Sequence, residues 1–126
     1  MAAVTILVVD DSPSVRQLVQ LTFEMEGYRV ITADDGVAGL ERARADRPSL
    51  VVLDVMMPRM DGFDVARALK SDPATAAMPI VMLTAKAQAA DVSAGGASGV
   101  DDYVTKPFDP EELLARVERL LPGRRP

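Results

Sequence analysis

The sequence predicts an α/β fold: a doubly wound parallel sheet built from five strand–helix units, (βα)5. Short apolar runs rich in β-branched residues recur along the chain, foremost Val4–Val9, Leu50–Leu53 and Ile80–Leu83. They are apolar at successive positions rather than alternating, the pattern of a strand covered on both faces. Segments with helical spacing separate them, and strands alternating with helices form parallel sheets through right-handed crossovers. The length of 126 residues suits one domain, residues 1–126, with its core over about 4–121.

Val4–Val9 is the first strand, closed by Asp10 and Asp11. Ser12 and Pro13 open a helix: Ser12 as N-cap, and Pro13 at the first helical position, where its missing N–H costs nothing. Val15, Leu18, Val19 and Thr22 recur at helical spacing, and Gly27 is expected to cap the C-terminus. Tyr28–Ala33 reads as the second strand and Gly36–Asp46 as the second helix, ended before Pro48. Leu50–Leu53 is the third strand. The loop Met57–Gly62 then leads into a helix from Phe63 to about Lys70, with Asp61 as its N-cap. Ile80–Leu83 is the fourth strand, Ala87–Ser98 a weak fourth helix, and Asp101–Thr105 the fifth strand. Gly95 and Gly96 cost that fourth helix about 1 kcal/mol each against alanine. Pro110–Leu121 is the last helix, apolar at Leu113, Leu114, Val117, Leu120 and Leu121.

Composition excludes several function classes. The chain carries 14 basic and 19 acidic residues, a net charge of −5, which argues against a general nucleic-acid surface. It has no Cys, so disulfides, thiol catalysis and thiolate zinc sites are out. It has no His, which removes Ser-His triads, imidazole metal sites and a phosphohistidine. No apolar run approaches the roughly 20 residues of a spanning helix. No basic segment followed by a long apolar stretch opens the chain, so the expectation is a cytoplasmic protein without membrane contact.

The candidate chemistry gathers at the carboxyl ends of the strands. Asp10 and Asp11 follow the first, Asp54 the third, Thr84 the fourth and Lys106 the fifth. Singly, each has a bland role as a turn, cap or surface residue. Together they mark the edge where open α/β sheets bind ligands. Three carboxylates repel unless a cation sits among them. With only oxygen donors to offer, they suit a hard cation, Mg²⁺ or Mn²⁺ in its place. A carboxylate can also attack phosphorus to give an aspartyl phosphate. Such transfer needs positioning and charge neutralisation, which a Lys and a Thr hydroxyl can help supply. The residues therefore read as a Mg²⁺-assisted phosphoryl acceptor site.

Asp10-Asp11, Leu53-Asp54-Val55-Met56-Met57-Pro58, Met60-Asp61-Gly62, Thr84-Ala85 and Lys106-Pro107-Phe108 resemble, in that order, the motifs of the response-regulator receiver domain of two-component signalling. The resemblance spans about Val4 to Leu121. It implies a flavodoxin-like sheet with strand order 2-1-3-4-5. It implies Asp54 as phosphoacceptor, with Mg²⁺ on Asp11, Asp54 and the Met56 backbone carbonyl, and Asp10 acting largely through water. Lys106 would pair with Asp54 and then with the phosphoryl oxygens. Thr84 and Tyr103 would be the switch residues, and the Lys106–Pro107 bond would be cis. The surface of the fourth helix, fifth strand and last helix would then change and control partner binding. A sensor histidine kinase or phosphotransfer protein is the implied donor; the output partner is unspecified, and the chain is expected as a monomer or a phosphorylation-dependent weak dimer. The residues two beyond the phosphoacceptor and two beyond the Thr, Met56 and Lys86, are implied to govern water access to the phosphoryl group.

Two departures stand out. Arg59 occupies a loop position where Gly is common, so the loop requires a backbone angle that Arg can adopt. Glu112 and the Asp102/Arg116 pair of the winged-helix subfamily's activated dimer are present, but Val92 replaces its fourth-helix Arg, which weakens the case for that dimer. Two other classes share the architecture. A haloacid-dehalogenase-type phosphatase wants Asp-x-Asp, and here Met56 holds the second acid position. A flavodoxin-like flavin binder wants a Ser/Thr/Gly-rich phosphate loop, whereas Asp10-Asp11-Ser12-Pro13 is anionic. The reading is a phosphorylation-switched module that catalyses only its own phosphorylation and dephosphorylation.

Overall fold

Five strands pair in parallel, in the order β2-β1-β3-β4-β5. They are β1 (Thr5–Val9), β2 (Arg29–Ala33), β3 (Leu50–Asp54), β4 (Ile80–Ala85) and β5 (Asp102–Lys106). Among the described residues the helices are α1 (Pro13–Glu24), α2 (Gly36–Asp46), α3 (Gly62–Ser71) and, at the C-terminal end, α4 (Pro110–Leu120). The computed structural model describes residues 4–85 and 99–121. The expected helix Ala87–Ser98, with Val92 and Gly95-Gly96, lies outside them, as do Lys86 and the tail from Pro122.

The continuous apolar strands are explained by two core layers. Leu7, Val9, Val51, Leu53, Ile80 and Met82 face one way, onto Ala43 of α2 and Val65, Ala66 and Leu69 of α3. Their neighbours Ile6, Val8, Leu50, Val52, Val81 and Leu83 face the other way, onto Val19 and Phe23 of α1 and Leu113 and Val117 of α4. Successive strand side chains point to opposite faces, so a sheet covered twice needs apolar residues at both parities. Burying each such side chain contributes about 1.5–3 kcal/mol against leaving it in water.

Local signals set the helix starts. Ser12 caps α1 by accepting the Val15 N–H, with Pro13 in the first turn. Asp61 caps α3 in a reciprocal box with Asp64. Asp109 caps α4. The helix ends depart from expectation. Gly27 does not cap α1: the helix stops at Glu24 with Met25 as C-cap, and Gly27 takes its left-handed φ of 92° in the turn beyond. Tyr28 precedes β2 rather than opening it. Its ring leans on Phe23 with centroids 5.9 Å apart, and its hydroxyl hydrogen-bonds a Glu118 carboxylate oxygen at 2.7 Å. β3, β4 and β5 each run beyond their apolar stretch, to Asp54, Ala85 and Lys106. The parallel ladder continues under polar side chains, with Asp54 opposite Leu83 and Ala85 opposite Lys106. Hydropathy finds only the apolar part of such a strand.

Candidate functional site

The order β2-β1-β3 means that the chain leaves β1 towards one edge and returns to β1's other side. The crevice between the carboxyl ends of β1 and β3 is therefore the topological switch point, where open α/β sheets place their ligands. Asp10 and Asp11 stand on one side of it and Asp54 on the other.

Asp10 is wholly buried and fully engaged. One carboxylate oxygen accepts the Ser12 N–H at 2.9 Å and the other accepts from Lys106 Nζ at 3.0 Å. Its backbone is fixed too: its N–H donates to the Ala33 carbonyl at 3.2 Å, and its carbonyl accepts from the Arg16 guanidinium at 2.7 Å. Asp54 is buried at the end of β3, accepts the Met56 N–H at 3.3 Å and lies 3.3 Å from Lys106 Nζ. Asp11 is exposed at the mouth. Carboxylate oxygens of Asp10, Asp11 and Asp54 all lie within 4.8 Å of one another. Lys106 thus bridges two of the three acids, and is closer to Asp10 than to Asp54.

The electrostatics follow from this crowding. Burial, and then the neighbouring Asp10 charge, push the Asp54 carboxyl up to about 6 against the pull of Lys106. Burial works against the Lys106 ammonium, but its hydrogen bond to Asp10 and the charges of Asp54 and Asp10 outweigh it and hold its pKa above the ordinary lysine value. Three acids facing one ammonium leave the pocket short of positive charge. An all-oxygen donor set that converges within 4.8 Å suits a hard divalent cation, so the residues fit the metal their chemistry calls for.

Thr84 is buried one residue beyond Leu83, the register partner of Asp54, and its hydroxyl makes a long contact of 3.4 Å to the Ala85 carbonyl. Tyr103 packs against the core layer of α2 and α3, its hydroxyl buried without a hydrogen-bond partner among the described residues. Met56 has an exposed side chain at the start of the β3–α3 loop. The Lys106–Pro107 peptide is cis. The geometry thus joins Asp10, Asp11, Asp54 and Lys106 directly, with Thr84 on the adjoining strand and Tyr103 on the far one.

Sequence reasoning missed the contacts of two arginines here. Arg16, on the first turn of α1, holds the Asp10 carbonyl. Arg59, in the β3–α3 loop at a left-handed φ of 69°, ion-pairs with Asp35, the N-cap of α2. Neither sits in an apolar or acidic pattern that would mark it; only the odd residue type at Arg59 gave a signal.

A model of the response regulator receiver domain matches residues 6–118. The chain belongs to the response-regulator receiver family. This receiver is 49% identical over 92% of its length to the DNA-binding dual master transcriptional regulator RpaA of Synechocystis, and covers 48% of that protein. It is 47% identical, over the same shares, to the alkaline phosphatase synthesis transcriptional regulatory protein PhoP of Bacillus subtilis. The chain spans about half the length of these curated relatives. Among solved structures it resembles the Vibrio cholerae chemotaxis protein CheY4, with a TM-score of 0.87 and 38% identity over 95% of this chain and 100% of that one. It also resembles the receiver domain of NtrX from Brucella abortus, with a TM-score of 0.85 and 30% identity over 94% and 98% of the two chains. Among the described residues, no helix is long and apolar enough to cross a membrane.

Proposed function

We propose that this receiver takes a phosphoryl group onto Asp54 from a sensor histidine kinase or a phosphotransfer protein, and signals through the altered surface of β5, α4 and the segment before β5. The observation that carries the reading is the buried Asp54 carboxylate, set 3.3 Å from Lys106 and within one cluster with Asp10 and Asp11. In the transfer, an Asp54 oxygen forms the new bond to phosphorus. The P–N bond to the donor imidazole breaks with its electron pair leaving on that nitrogen, which is protonated as it departs. Asp10, Asp11, Asp54 and the Met56 carbonyl would hold Mg²⁺, or Mn²⁺, which when bound neutralises the charge on the transferring group. Lys106 supplies a second positive charge to the phosphoryl oxygens as its pairing with Asp54 is given up. Thr84 offers its hydroxyl as donor to the same oxygens, and the Tyr103 ring follows into the space vacated. No external substrate is turned over. The site works in the cytoplasm, where kinase donors act, and the output partner reads the surface rather than the chemistry.

Beryllofluoride, a stand-in for the phosphoryl group, tests this by fluorine NMR. A bound signal is expected that requires Mg²⁺ and vanishes in Asp54→Ala. A signal that survives the substitution, or forms equally without Mg²⁺, overturns the assignment.

A further inference from the structure

The β3–α3 loop bears the Met56 carbonyl, and its base is closed: the Gly62 N–H donates to the Val55 carbonyl at 3.0 Å. A side chain at Gly62 would put its Cβ 2.4 Å from the Asp54 carbonyl oxygen, so loop base and strand end are in hard contact. The tip is held differently. It lies across the N-terminus of α2, so close that a Cβ at Gly36 would stand 2.2 Å from the Met60 carbonyl oxygen. Beside that contact the Arg59 guanidinium pairs with the Asp35 carboxylate. Asp35 is itself fixed, because the same side chain caps α2 by accepting the Ala38 N–H at 2.7 Å. The Asp35 side chain is only 16% exposed against 70% for Arg59, so a rigid acid holds a solvent-facing cation. Arg59 takes a backbone φ of 69°, a region an L-residue enters only at a cost and glycine enters freely. A residue costly for the backbone but placed to reach Asp35 points to a role for its side chain.

We propose that Arg59 is a positioning residue for the cation site: its pair with Asp35 clamps the loop tip to α2 and so presets the Met56 carbonyl beside Asp54. The clamp rests on the reading of the acidic cluster as a Mg²⁺ site. Ordering the loop before the ion arrives removes that ordering cost from binding. It also makes Mg²⁺ affinity depend on salt, since the pair is half in water.

Arg59→Gly separates this role from simple charge and from simple structure. Removing a positive charge from the loop that bears the Met56 carbonyl should by itself, if anything, favour cation binding; losing the clamp weakens it. Calorimetric titration with MgCl₂ is expected to show Arg59→Gly binding about two- to fivefold more weakly than the wild type at low salt, with the gap closing at high salt. Asp35→Asn, which keeps a capping side chain, is expected to give a similar loss, and the double variant no further loss. Arg42→Gln, which removes the same charge from the exposed Arg42–Asp46 pair on α2, is expected to leave affinity unweakened. The melting temperature of Arg59→Gly is expected to stay within a few degrees of wild type, because glycine suits the backbone angle. Amide exchange over residues 56–60 without metal is expected to quicken. Mg²⁺ binding by Arg59→Gly as tight as wild type, or tighter, overturns the clamp. A wild type that binds no Mg²⁺ overturns the acidic-site reading and the clamp with it.

Discussion

Asp54 sits where burial and a neighbouring acid raise its carboxyl to about 6, against 3.8 for the free side chain. The native state therefore binds this proton more tightly than the unfolded chain does. Without metal, stability is lost as the pH climbs through the window from about 4 to about 6, and the penalty is complete above it. Asp54→Asn removes the charge and keeps the shape, while Lys106 retains Asp10 at 3.0 Å. In chelator at neutral pH the variant is expected to be more stable than wild type by roughly 1–3 kcal/mol. The difference should shrink towards nothing near pH 4. Thermal melts across that range check it, and a variant no more stable than wild type at neutral pH contradicts the electrostatics. Asp11 behaves differently because it is exposed at the mouth. Asp11→Ala is expected to weaken Mg²⁺ binding at least tenfold with little change in melting temperature.

Most of the elements were readable because each carries its own signal. The strands are apolar at both parities, Ser12-Pro13 opens α1, and Asp61 caps α3. The ends were harder. Asp54 and Lys106 belong to the strands that present them, because backbone pairing continues after hydropathy stops. The strand order was never in the alternation of elements; it entered through the resemblance of the motifs. In the site, residue types at strand ends named Asp10, Asp11, Asp54, Thr84 and Lys106. The Lys106–Asp10 and Arg59–Asp35 contacts are long-range, and Arg16 reaches back six residues to the Asp10 carbonyl; apart from the odd residue type at Arg59, nothing in the local sequence announces them. The Asp61 cap offers a test at this scale. Asp61→Ala removes the carboxylate that accepts the Asp64 N–H, leaving only the half of the box in which the residue 61 N–H donates to Asp64, and is expected to cost about 1 kcal/mol in a denaturant melt. Mg²⁺ binding is expected to persist, opposite to Asp11→Ala. Equal losses of Mg²⁺ binding from both would misplace the loop.

For the whole molecule, the questions are whether the cleft at the switch point accepts a phosphoryl group and how long it keeps it. Met56 is exposed beside Asp54 and is apolar, with no strong group to align an attacking water. We expect slow loss of the aspartyl phosphate with Mg²⁺, over minutes or longer, and faster loss in Met56→Asn. Decay of the wild type within seconds, or slower decay in the variant, contradicts this. The central claim is the acceptor itself. The direct measurement is the intact mass of the chain after incubation with acetyl phosphate and Mg²⁺, for wild type and Asp54→Asn side by side. The account predicts one phosphoryl adduct on the wild type, absent when Mg²⁺ is chelated and absent from the variant. An adduct of undiminished yield on Asp54→Asn would contradict it.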